Sequence, residues 1–261
     1  MRTRGDYDQA RELYRDALAV AERDLDEDDP ALVELLNGIG VLGKYDGSFD
    51  DASAAYQRAL AIETGRPRPN VRIVTTLLHN IGGLDHAAGR PADAVIAARR
   101  GLELRLAAYG ADHPDVAADE AALAAILVDL GELDEAIAIC NHSIDVYATV
   151  GRVDDHDVAA AYATMATAFH KKGDLDGAIA AYDAALDMKE RALGASHPEL
   201  APTLNNLGLL YAQRGRLDDA EVSYRRALVV LDGVGLEDHP QHARVSHNLD
   251  ALERRRATSQ S

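Results

Sequence analysis

The chain has 261 residues and carries 27 Lys and Arg against 44 Asp and Glu, a formal charge of −17 at pH 7. That balance disfavours any role that starts by neutralising nucleic-acid phosphates, which needs clustered Lys and Arg. Apolar residues make up 47% and aromatics 5%, with no Trp and two Phe, so burial must come from many Ala, Leu, Ile and Val contacts, as between helices. The one cysteine, Cys140, cannot form an intramolecular disulfide. It fits a reducing compartment, and with no signal-like N-terminal stretch and no apolar run near membrane length, the expected location is the cytoplasm.

A glycine returns every 42 residues, at Gly5, Gly47, Gly89, Gly131, Gly173 and Gly215, with an alanine five residues on (Ala10, Ala52, Ala94, Ala136, Ala178, Ala220). A fixed period of this size marks a solenoid of stacked units. In chain order the pattern predicts an orphan second helix over 6–24, repeats over about 30–65, 70–108, 114–149, 156–192 and 198–232, a capping helix over 240–256, and a disordered tail over 258–261. About 12 helices make this an all-α fold. In the fifth repeat, Leu204, Leu207, Leu210 and Tyr211 form the stripe of a first helix, Gly215 turns the chain, and Leu217, Ala220, Tyr224, Ala227 and Leu228 form the stripe of a second. The two make an antiparallel hairpin. Small residues at Gly40, Gly82, Ala124, Ala166 and Gly208 let the helix axes close, while Tyr56, Tyr182 and Tyr224 share one slot on the second helix and Cys140 occupies that slot as a small buried hydrophobe.

Asp29-Pro30, His113-Pro114, His197-Pro198 and His239-Pro240 join the repeats, and proline suits the first helical position. Asp28, Asp112, Ser196 and Asp238 stand as capping candidates, with the histidines as turn residues. The chain opens on a second-helix pattern, so that helix either caps the stack itself or follows a segment of a longer gene product. Charged Glu253, Arg254, Arg255 and Arg256 suit a closing cap.

The run Thr203-Leu204-Asn205-Asn206-Leu207-Gly208-Leu209-Leu210-Tyr211, with Ala220, Tyr224 and Ala227, resembles the tetratricopeptide repeat, and the 42-residue unit with its His-Pro join is similar to the kinesin light chain type. The resemblance covers nearly the whole chain. It implies a right-handed superhelix of helix pairs whose first helices line a concave groove for peptides or partner proteins, with no catalysis. Asp85, in the slot of Tyr211, departs from the pattern and predicts a looser second repeat.

On such a groove the candidate peptide-binding residues are Asn37, Lys44, His79, Asn80, His86, His170, Lys171, Asn205, Asn206 and Asn248. An asparagine amide both donates and accepts, so it can pair with an extended peptide backbone whatever the guest's sequence. The competing reading is that these residues cap local backbone or face water. Small residues in the third and fourth repeats (Ala121, Ala122, Ala125, Ala163) favour a bulkier or helical guest. Lysines and histidines set in an acidic body favour a partner with an acidic segment.

The ten histidines show no ligand spacing, so no metal is expected. There is likewise no phosphate loop or nucleophile elbow, no cofactor is expected, and an enzyme such as a hydrolase would need convergent groups in a closed pocket. The sequence therefore points to a non-catalytic protein-binding scaffold, with neither nucleic acid nor membrane as a direct partner. The alternative is a sensor or regulatory repeat module of a larger signalling or transcription-regulating protein.

Overall fold

A computed structural model describes residues 4–152, 156–236 and 239–259. They form twelve α-helices, α1 (Arg4–Asp24), α2 (Pro30–Asp46), α3 (Phe49–Gly65), α4 (Val71–Ala87), α5 (Pro91–Tyr109), α6 (Pro114–Leu130), α7 (Leu133–Thr149), α8 (His156–Lys172), α9 (Leu175–Leu193), α10 (Ala201–Arg214), α11 (Leu217–Asp232) and α12 (Pro240–Ser259). A 3-10 turn, Pro198–Leu200, leads into α10, and no strand occurs among the described residues. The chain divides into two compact units, Met1–Leu130 and Gly131–Ser261. In each, helices pack on their chain neighbours, and first helices also meet: α2 on α4 and α4 on α6 in one unit, α10 on α12 in the other.

The hairpins follow from the periodic glycine. Gly215 sits at φ 84° and ψ 4°, a left-handed geometry that a Cβ resists, and ends α10 so that Leu217 can open α11 two residues later. Hairpin closure then rests on the small slot. A Cβ built on Gly208 would lie 2.6 Å from the ring of Tyr224, itself buried, and one on Gly40 would strike the ring of Tyr56. In the second repeat the partner slot holds Ala98, and a Cβ on Gly82 would fit tightly, 3.2 Å from the Ala94 carbonyl oxygen, but would strike no ring.

The end of each second helix is clipped to the element that follows by a residue in one recurring slot, and the chemistry differs each time. Glu63 is fully buried and accepts from the Asn70 N–H at 2.6 Å. Buried Arg105 faces Asp119 at 2.8 Å and Asp115 at 3.5 Å. Tyr147 donates its hydroxyl to Asp157 at 3.0 Å, and Lys189 donates to Thr203 at 3.3 Å. Burial pulls the Lys189 ammonium below the usual lysine range, against the pull of Glu199. In the last repeat the slot is Leu231, buried and apolar.

The helix caps revise the sequence reading. Asp29, not Asp28, accepts from the Ala31 N–H at 2.8 Å, and His113 and His197, not Asp112 and Ser196, accept through Nδ1 from Asp115 and Glu199. His239 does the same for Gln241, while Asp238 lies outside the described residues. The reason is positional: proline takes the first helical position, so the residue directly before it is the cap. Replacing His197 by alanine is expected to cost about 1 kcal/mol in urea unfolding, and His197→Asp, which copies Asp29, should restore it. Helix α12 runs through Thr258 and Ser259, where a tail was expected, and Gln260 and Ser261 lie outside the described residues.

Candidate functional site

The first helices carry the polar residues singled out in the sequence, and the structure ties many of them together across neighbouring repeats. Asn80 on α4 donates to the side-chain oxygen of Asn37 on α2 at 2.8 Å. Asn248 on α12 donates to Asn205 on α10 at 2.9 Å. His86 stands 2.8 Å from Asp129, and His170 2.9 Å from Gln213. In each pair the partners are 43 residues apart, one period plus one, because stacked first helices are displaced by about a residue.

These bonds change what the asparagines can offer. Asn205 is 5% exposed and its oxygen is taken, so it is a packing residue between α10 and α12 and not a free amide. Asn206 donates to the Tyr182 hydroxyl at 3.0 Å, which also meets Thr167 at 2.9 Å, so it too faces the hairpin. The half-buried pair Asn37 and Asn80 is joined by one bond, leaving one amide donor set and one acceptor unspent in that bond. Lys171 is exposed and Asn248 half-buried.

In the unit Met1–Leu130 three of the candidates converge. Lys44, His79 and His86 line a recess of about 280 Å³ with Gly83, Asp119, Ala122 and Ile126. Asp119 is 5% exposed and sits between Arg105 and His79, whose Nδ1 is 2.8 Å from it. Its carboxylate is thus engaged by a buried guanidinium and an imidazole. Lys44 reaches across the neighbouring helix, its Nζ 2.8 Å from where a Cβ on Gly83 would be, and no partner for that ammonium occurs among the described residues. Other repeats place Val41, Ala125, Thr167 and Leu209 in the slot of Gly83, so the recess depends on the glycine.

Asp119 and Arg105 were not among the sequence candidates, although a signal was present. Asp119 and Glu120 stand where the neighbouring repeats have Leu77-Leu78 and Ala161-Tyr162, so two carboxylates occupy slots that otherwise pack. In the other unit, burial raises the Asp183 carboxyl above its usual range although Tyr211 leans on it and Arg216 stacks 4.4 Å over the Tyr211 ring. Among the described residues no three His, Cys, Asp or Glu side chains group as metal ligands, and no helix is long and apolar enough to cross a membrane.

The tetratricopeptide repeat family matches residues 1–63, 73–149, 116–191 and 157–233. No curated protein matches the sequence. Among solved structures, BtubC (BKLC) from P. vanneervenii is similar with a TM-score of 0.71 at 21% identity, over 88% of this chain and 90% of that one. A Podospora anserina putative kinesin light chain with nearly identical TPR-like repeats gives 0.65 at 16%, over 79% and 98%. The apo form of RapI gives 0.66 at 12%, over 99% and 94%. At these identities the likeness is one of fold.

Proposed function

Because the chain belongs to the tetratricopeptide repeat family, whose fold serves protein interaction, we propose that it is a non-catalytic scaffold whose first-helix face holds an acidic segment of a partner protein. The observation that carries this reading is the Lys44 ammonium over Gly83, without a partner among the described residues, in a recess whose carboxylate, Asp119, already faces Arg105 and the His79 ring. A guest carboxylate entering there meets a lysine and the rings of two histidines, in a half-enclosed place where charge counts for more than on open surface. Asn37 and Asn80 lie along the same pair of helices and supply an amide donor and acceptor for the guest backbone. Cytoplasmic residence suits a chain with one buried thiol.

Affinity capture compares the native protein with Lys44→Glu and Gly83→Val. The valine copies Val41 and displaces the lysine end without touching backbone. Partners held by the native protein are expected to be lost from both variants, and to elute from it with added salt. Equal retention by all three proteins rejects the recess as the anchor.

A further inference from the structure

The cleft between successive second helices is built differently in the second and fifth repeats. In the unit Gly131–Ser261, the Tyr211 ring of α10 reaches both flanking helices: its hydroxyl turns to Asp183 on α9, and Arg216, at the start of α11, stacks 4.4 Å over it. Ile179 of α9 is buried as well. Three charges along this cleft are paired within the unit, Asp176 with Arg214 at 2.8 Å, Asp219 with Arg216 at 2.8 Å, and Arg226 with Glu190.

In the unit Met1–Leu130 the same slots hold Asp85 for Tyr211 and Ser53 for Ile179, so two large side chains give way to small ones. A groove of about 860 Å³ lies there between α3 and α5, with Leu78, Ile81 and Asp85 of α4 on its floor and Ile96, 68% exposed, on one wall. The rim charges persist as Asp50, Asp93 and Arg100, but their partners do not. Ala88 replaces Arg214, Thr64 replaces Glu190, and Arg90 turns to Asp85 at 2.6 Å. No side-chain partner for Asp50, Asp93 or Arg100 occurs among the described residues.

We infer that this groove takes a tyrosine-centred segment of a second partner protein, with a basic residue on one side of the ring and an acidic residue on the other. The guest supplies what the fifth repeat has and the second lacks. Its ring fills the slot that Asp85 leaves, stacked on the face of the Arg90 guanidinium while the edge of that group stays on Asp85. Its Lys or Arg meets Asp50 and Asp93, in the first turns of α3 and α5. Its carboxylate meets Arg100, about 10 Å further along α5. Complementary charge thus fixes the direction in which the guest lies. A uniformly acidic guest, of the kind proposed for the Lys44 recess, would meet two unpaired carboxylates here. Groove and recess use different faces of α4, Leu78, Ile81 and Asp85 against His79, Gly83 and His86, and select different guests.

The test titrates the whole chain with the acetylated, amidated pentapeptide Lys-Ala-Tyr-Ala-Glu and follows backbone amides by NMR. Saturable shifts are expected at Ser53, Gln57 and Ile96, with affinity about fivefold weaker for peptides with Ala in place of Tyr, with Lys at both ends, or with Glu at both ends. In the protein, Asp85→Tyr, which copies Tyr211 and fills the slot, and Arg100→Glu are expected to weaken binding by about the same factor, while Lys44→Glu leaves it unchanged. Arg100 is exposed, so Arg100→Glu decides the matter if Asp85→Tyr does not fold. The inference falls if no shifts occur at these positions, if the alanine peptide binds equally, or if the folded variants bind like the native chain. It also falls if sedimentation shows a dimer that Asp85→Tyr dissolves, which assigns the groove to a second copy. Shifts around Gly83 that vanish in Lys44→Glu would place the peptide in the recess instead.

Discussion

Gly208→Leu is expected to destabilise the unit Gly131–Ser261 by about 3 kcal/mol, because the new side chain must displace a Tyr224 ring that is already buried and close-packed. Gly208→Ala gives the sharper comparison. Its Cβ meets the ring at 2.6 Å, costing about 1 to 3 kcal/mol, offset by about 1 kcal/mol from removing a glycine inside a helix. Gly82→Ala has the same propensity gain but meets an alanine and a backbone oxygen at 3.2 to 3.3 Å, which need give by only a few tenths of an ångström, so it should cost less than Gly208→Ala. Urea unfolding of the three variants separates a steric account from one in which glycine serves backbone freedom. Equal effects for the two alanines would reject the steric account.

The second large effect belongs to the buried charges under the recess. Arg105→Ala leaves the Asp119 carboxylate with only the His79 ring, and breaking a buried pair this way costs about 3 to 5 kcal/mol. The two charges stand 2.8 Å apart without the alignment of a straight hydrogen bond, so the intact pair repays little of its desolvation. Arg105→Leu with Asp119→Leu copies Leu231 and Leu77 from the same slots of other repeats, and should restore stability to near the native value or above it. A double variant as unstable as Arg105→Ala would show that the pair itself holds α5 to α6. If the double variant folds well yet loses partners, Asp119 matters for placing His79 and not for the fold.

The contrast between what was and was not legible has a physical source. Fold class and helix order could be read because burial of a repeated stripe is a local matter, and the small slot and its tyrosine recur at fixed distance. Capping residues were misplaced by one position because Asp28 and Asp112 have the right chemistry but lie outside the proline-defined start. The asparagine set was only partly legible. Asn37 and Asn205 share one slot of the repeat and Asn80 and Asn248 the next, but the one-residue displacement between stacked helices, which lets Asn80 reach Asn37 and Asn248 reach Asn205, is a property of packing and not of the period. Asp119 shows the opposite failure: its misfit to the stripe was visible, while its partners, Arg105 and His79, sit on two other helices and could not be read from spacing.

The central claim, that partners are held on the first-helix face at the Lys44 recess, is tested most directly by site-specific photocrosslinking. A benzophenone side chain is placed at Ala87, exposed and on the rim of the recess, or at Gln57, exposed on a second helix. Covalent capture of the partner from position 87 and not from position 57 is the predicted result. Capture from position 57 with none from position 87 would contradict it.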